Sequence, residues 1–314
     1  MRPARALALL CLCAGPLGLR GAGVTGGEML LARPSARAVA LGEAYSALGD
    51  DPGVLAFNPA GLADLKGPTL AFLHYAQLAG VSLEDLSYAH NLDFGTLAFN
   101  LQYRGQPDIA NPLATDVPIS VWDLVLRLSY AGQPAKLLPD LPGPLGQAKA
   151  GISVKWLSSH LGRYTGDAYA ADLGIKAPLA EGIIGAVSVL NLGTPIKFIE
   201  EADPLPVVIL GGISRAFEPW AGNRLNLAAD LEAPAQSNMR LHFGVEDYLA
   251  PAFAVRLGYL LDSDQSLNGM SGGLGLSIDQ EGLLFRVDYA LKPAYYQGFN
   301  SFDMQHMFQV LLTF

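Results

Sequence analysis

From Thr69 to the C-terminus the chain alternates apolar and polar positions in short runs separated by Gly, Pro, Asn and Asp, the period-two signal of β-strands. Leu97, Phe99, Leu101 and Tyr103 share one face of such a run, and Thr96, Ala98, Asn100 and Gln102 share the other. Trp122, Leu124, Leu126, Leu128 and Tyr130 stand in the same way against Asp123, Arg127 and Ser129, as do Ile152, Val154 and Trp156 against Ser153 and Lys155. The pattern recurs in Phe253, Val255, Leu257 and Tyr259, with Arg256 opposite, and in Phe285, Val287, Tyr289 and Leu291, with Arg286 and Asp288 opposite. Roughly fourteen segments of this kind follow one another, most near the 9 to 11 residues a tilted strand needs to cross a bilayer.

Alternation alone fits either a soluble sandwich, polar face outward, or a membrane barrel, apolar face outward. Composition shifts the balance. The chain is 51% hydrophobic and only 16% charged. Its first residues place Arg2 and Arg5 before an apolar run from Ala6 to Leu19, the layout of a secretory signal peptide over residues 1–23. Acylation at Cys13 is the competing reading, with Leu12 a poor neighbour for it. Cys11 and Cys13 are the only cysteines, so a processed chain has neither thiol nor disulfide. Without Arg2, Arg5 and Arg20 the 20 basic residues fall to 17 against 29 acidic ones, a formal charge of −12 that argues against nucleic acid. After the signal no stretch approaches the roughly 18 apolar residues of a membrane helix. An exported, apolar, strand-rich chain points to an outer-membrane β-barrel over residues 67–314.

Three further features agree. Tyr103, Trp122, Tyr130, Tyr259 and Tyr289 fall towards segment ends, where an interfacial girdle sits, and charges keep to the polar face, giving a lumen of mixed sign from Arg127, Lys155, Asp172, Asp230, Arg256, Arg286 and Asp288. The last run, with Phe308, Val310, Leu312 and Phe314 in alternation, resembles the closing strand and assembly signal of bacterial outer-membrane barrels, which implies the barrel-assembly machinery and outer-membrane lipid as partners. Longer breaks at residues 105–119, 133–147 and 191–206 are proline-rich and read as extracellular loops.

Residues 34–65 read differently. Ala38, Leu41, Tyr45 and Leu48 recur at helical spacing with Gly49 as a stop, and Asp51-Pro52 and Asn58-Pro59 each supply a cap followed by a first-turn proline. Ser35-Ala36-Arg37-Ala38, Gly42-Glu43-Ala44-Tyr45, Ala47-Leu48 with Asp50-Asp51-Pro52, and Asn58-Pro59-Ala60-Gly61-Leu62 together resemble the N-terminal signature of FadL-type outer-membrane barrels, and more closely that of the PorV/PorQ group with its UPF0164 relatives. Glu43 is the one non-conservative departure from that pattern. The resemblance implies a small helical hatch, residues 24–66, folded inside the lumen. It also makes Arg37, Tyr45, Asp50, Asp51, Asn58, Pro59 and Gly61 candidates for holding or gating that hatch.

Catalytic chemistry is thin. Residues 269–273, GMSGG, match the G-x-S-x-G pattern, but Ser271 enters another strand instead of the helix that a nucleophile elbow needs. His74, His90, His160, His242 and His306 lack metal-ligand spacing, and Asp50 with Asp51 reads as a cap rather than a cation site, so no metal and no cofactor is expected. The expectation is a non-enzymatic barrel in the bacterial outer membrane passing a hydrophobic small molecule, long-chain fatty-acid-like by the resemblance. A second reading, also from the resemblance, is a partner of secretion-system proteins that receives exported cargo on its loops.

Overall fold

The computed structural model describes residues 25–110, 118–136, 146–220, 222–262, 269–295 and 302–314. The segment expected to be a signal peptide lies outside them. Sixteen strands run in chain order: β1 (Thr69–Ala76), β2 (Ser82–Leu92), β3 (Gly95–Gly105), β4 (Val121–Gly132), β5 (Lys149–Leu161), β6 (Tyr164–Ala180), β7 (Ile183–Gly193), β8 (Ile196–Lys197), β9 (Ala202–Asp203), β10 (Val208–Phe217), β11 (Arg224–Pro234), β12 (Arg240–Ala250), β13 (Phe253–Asp262), β14 (Gly269–Gln280), β15 (Leu283–Tyr295) and β16 (Phe302–Thr313). All but β8 and β9 close into one antiparallel ring of fourteen, β7 pairing directly with β10 and β16 with β1. The number matches the count made from the alternating segments.

Burial decides which face meets which medium. On β3, Leu97 and Phe99 are 40% and 44% exposed, whereas Asn100 and Gln102 are 2% and 1%. Around the ring the large exposed side chains are apolar and the buried charges of the strands point in, beside an inward apolar patch that includes Leu73, Leu83, Val125 and Leu157. A soluble sandwich would reverse this, and only closure lets such a sheet leave no unpaired edge in lipid.

The two rims differ. At the rim carrying Phe314, β2 joins β3, β6 joins β7, β12 joins β13 and β14 joins β15 through two residues each, while most connections at the far rim are longer. Short turns mark the periplasmic side. The chain enters β1 at this inner rim, where the Phe314 amide donates to the Pro68 carbonyl at 2.9 Å. Strand parity then corrects one expectation: β4 returns to the inner rim, so the proline-rich segment 133–147 opens on the periplasmic side, with Lys136 Nζ donating to the Asp93 carbonyl in the β2–β3 turn at 2.7 Å. Composition marks a segment as a loop but carries no parity, so it could not say which rim the loop leaves. Residues 191–206 lie at the outer rim and fold inward: Ile196 on β8 is fully buried, and the Gly26 amide donates to the Pro204 carbonyl at 3.1 Å.

Candidate functional site: a hatch fastened to the barrel wall

Between Gly26 at the outer rim and Pro68 at the inner one, the N-terminal segment traverses the lumen. Its residues are almost entirely buried. The helix α1 (Ala36–Ala40) leans on β13 to β16; of two 3₁₀ turns, Pro52–Ala56 touches β1 and β2, and Pro59–Asp64 leans on the opposite wall, mainly on β3 to β6. Each start is capped as the sequence suggests: Ser35 Oγ accepts from the Ala38 amide, Asp51 Oδ1 from Gly53 at 3.0 Å, and Asn58 Oδ1 from Ala60 at 3.0 Å. The helical spacing from Ala38 to Leu48 does not give one helix. α1 stops after five residues because Gly42 and Glu43 take left-handed backbone conformations, φ 64° and 69°, where the segment presses on the wall.

That pressing is direct. A Cβ on Gly258 of β13 would lie 1.8 Å from the Gly42 nitrogen, and one on Gly174 of β6 would lie 1.9 Å from Asn58 Oδ1. Gly151 of β5 plays the same part under Pro59, and Gly273 of β14 under Ala40. Wall glycines at inward positions are therefore landing places for hatch backbone. GMSGG belongs to this set: Ser271 Oγ accepts from the Gly42 amide at 3.1 Å, while His306 sits on the lipid face, its Nδ1 2.7 Å from the Tyr289 hydroxyl. The two residues a hydrolase would bring together face opposite sides of the sheet.

Charge does the fastening. Arg37, 1% exposed, donates from Nε and Nη2 to the two carboxylate oxygens of Glu246 on β12, at 2.7 and 2.8 Å. Its Nη1 reaches Asp50 and, at 3.2 Å, the Tyr45 hydroxyl, which itself donates to Asp51 Oδ2 at 2.7 Å. On the wall side Arg256 bridges Glu246 at 2.7 Å and Asp288 at 2.6 Å, and Arg286 bridges Asp288 at 2.7 Å and Asp51. Three guanidiniums and four carboxylates thus form a closed circuit across the hatch–wall boundary. Bidentate, charge-assisted bonds of this kind hold in a buried setting because each partner's remaining hydrogen-bonding capacity is met. Burial works against the charged form of Asp50, yet Arg37 outweighs it and keeps the carboxyl below its ordinary range. Burial pushes the Tyr45 hydroxyl far above its usual range, so it stays a donor.

A second circuit lies nearer the outer rim. Arg33 bonds Glu232 at 2.7 Å and Glu43 at 3.3 Å, Lys292 bonds Glu43 at 2.6 Å, and His242 contacts the Gly42 carbonyl at 2.7 Å and Glu232 at 3.0 Å. Burial disfavours the Glu43 carboxylate, but Lys292 and Arg33 overcome this and bring its pKa down to about 2. Glu43, the departure from the family pattern, is therefore matched by cations on both sides. Glu43, Glu232 and His242 converge within 4.8 Å as a metal site would. Arg33, Arg240 and Lys292 already supply the positive charge there.

Elsewhere the wall holds hatch backbone. Asp230 accepts from the Tyr45 and Ser46 amides at 3.0 and 2.8 Å, Ser188 donates to the Phe57 carbonyl at 2.6 Å, and Asn58 Nδ2 donates to the Ile175 carbonyl at 3.1 Å. Pro59 rests on β5, and Gly61 lets its turn approach Val54 and the Gly49 carbonyl. All seven hatch candidates lie in this one assembly. Glu246, Arg256, Asp230 and the wall glycines are the partners that the sequence did not reveal as such. Their one visible sign is a glycine or charge at an inward position of an alternating run.

A closed fourteen-stranded ring with an apolar exterior and a filled, charged interior defines an outer-membrane β-barrel. The model of the uncharacterised protein family UPF0164 matches residues 21–103, a stretch that takes in the hatch, β1, β2 and most of β3. The fold is shared with the toluene transporter TbuX of Ralstonia pickettii, 12% identical over 90% of this chain and 97% of that one, at a TM-score of 0.57. It is shared also with the toluene transporter TodX of Pseudomonas putida, 12% identical over 94% and 97% of the two chains at 0.55. A FadL homologue of Pseudomonas aeruginosa aligns at 8% identity over 93% and 99%, at 0.51. No curated protein matches the sequence.

Two expectations follow. Arg37→Met strands Asp50 and half the bonding of Glu246, at an expected cost of about 3–5 kcal/mol in a buried site, and Arg37→Met combined with Glu246→Met is expected to cost less than the single changes sum to. Unfolding midpoints in lipid vesicles check both. A carboxylate whose pKa is lower folded than unfolded stabilises above its unfolded value and loses that contribution as pH falls through the folded one. Protease resistance of the hatch should therefore be flat down to about pH 5 and fall between the ordinary glutamate value of 4.5 and about 2, with a smaller fall in Glu43→Gln.

Proposed function

We propose that this barrel is a gated passage for hydrophobic small molecules across the outer membrane and catalyses no reaction. The observation that carries the reading is a packed apolar cluster at the outer end of the lumen. Leu73, Leu83, Val125, Leu157 and Leu205 wall it, and Met29 and Leu30 of the hatch fill it. Apolar side chains inside a barrel gain nothing from lipid. What they offer is a place for an apolar guest once the hatch segment yields it. At the inner end a cavity of about 640 Å³ lies between hatch and wall, lined by Asp64, Lys66, Lys149, Lys176 and Arg224 among others, which gives a polar exit on the periplasmic side. The fold shared with two toluene transporters supports a monoaromatic or fatty-acid-like guest.

In this reading Arg37, Tyr45, Asp50 and Asp51 latch the hatch, and Asn58, Pro59 and Gly61 form its inner seat. Reconstituted vesicles loaded with a hydrocarbon-binding dye test it. Asn58→Ala, which removes a cap worth about 1 kcal/mol and the bond to Ile175, and deletion of residues 36–62 are both expected to change toluene entry while the barrel still assembles. Wild-type entry rates in the deletion would sink the reading.

A further inference from the structure

The outward surface carries a feature that transport through the lumen does not use. Among the described residues of the ring, the outward positions of the strands hold a single Lys or Arg, Arg215 on β10. Every other such cation points into the lumen. Arg215 sits one row from the inner rim, paired in register with Ile183, the first residue of β7, and with Leu227 of β11. It enters no ion pair among the described residues. Its guanidinium lies over the Phe217 ring, 4.7 Å from the centroid.

Directly above it the wall is hollowed. The next outward row reads Gly185, Ile213, Ala229, Phe243 across β7, β10, β11 and β12, so that a methyl group stands between two large side chains. The result is an open groove of about 430 Å³, almost wholly apolar, bordered by Ile183, Ile213, Leu227, Phe243 and Val245 with Arg215 at its inner end. Its volume suits one acyl chain, and Arg215 at its inner end lies towards the headgroups of the periplasmic side.

We propose that this groove is a specific site for an anionic phospholipid of the inner leaflet, one acyl chain lying over Ala229 and the phosphate bonded to Arg215. The physical case has two parts. An unpaired guanidinium at a membrane interface gains a charge-assisted, bidentate partner in a phosphodiester, and a hollow between large lipid-facing side chains is filled by a chain that leaves its neighbours no void. The flat stretches of wall elsewhere offer lipid tails contact without a matching charge.

Native mass spectrometry of the delipidated barrel, titrated with phosphatidylglycerol or with phosphatidylcholine, tests the assignment. The wild type is expected to keep one phosphatidylglycerol per barrel. Ala229→Phe, an outward change that fills the groove and leaves the hatch contacts alone, should weaken that retention at least about tenfold. Arg215→Gln should bring phosphatidylglycerol down to the level of phosphatidylcholine. Heat-modifiable mobility on gels confirms that both variants are folded. Equal retention in all three proteins, or a statistical spread of several lipids with no single bound species, would overturn the site. A wild-type dimer lost in Ala229→Phe would assign the groove to a second copy of the chain instead.

Discussion

Everything in this molecule depends on the absence of water in the hydrocarbon layer. Each strand N–H and C=O must find a partner there, so the sheet has to close, and β16 pairing with β1 is what closes it. Fourteen strands make a ring too wide for its own inward side chains to fill. The interior then either admits water freely or receives another part of the chain. Residues 25–66 take that place, and their capped, small-residue, glycine-marked character follows from having to fit against a wall of alternating side chains.

The fit is made in two ways with different consequences. Glycines at 151 and 258 let wall backbone touch hatch backbone, and those at 174 and 273 admit Asn58 and Ala40, a close and shape-specific contact with little adhesive strength of its own. The arginine–carboxylate circuits supply the adhesion, and they are of the kind that is strong intact and costly when half broken. Such a fastening favours two states, seated or released, over a gradual loosening.

Much of this was legible in the sequence. The alternating runs gave the strand count and the division of each strand into an apolar and a charged face, because a strand's two faces are written in its odd and even residues, and composition indicated which face lies outward. Asp51-Pro52 and Asn58-Pro59 announced their caps because a cap depends on neighbours in sequence. What stayed hidden depends on neighbours in space. Gly42 and Glu43 break the expected helix because Gly258 and Ser271 stand beside them, more than two hundred residues away. Nothing local in Glu246 marks it as the partner of Arg37. The loop at 133–147 carried the right composition for a loop, and only strand parity assigns it to the periplasmic rim. GMSGG is the clearest lesson: the residues of a nucleophile motif serve as a landing strip for the hatch.

The most direct test locks the hatch in place. A Cβ on Gly212 of β10 would lie 2.1 Å from the Ser46 hydroxyl oxygen and equally close to Asp230 Oδ1, so Ser46→Cys with Gly212→Cys brings the two sulfurs within reach of a hatch–wall disulfide once the Asp230 carboxylate swings aside. The chain's own cysteines, Cys11 and Cys13, lie well before this segment. Toluene entry into vesicles bearing the oxidised pair is expected to stop and to return on reduction. Entry at the wild-type rate through the cross-linked barrel would contradict a passage that opens by release of the hatch.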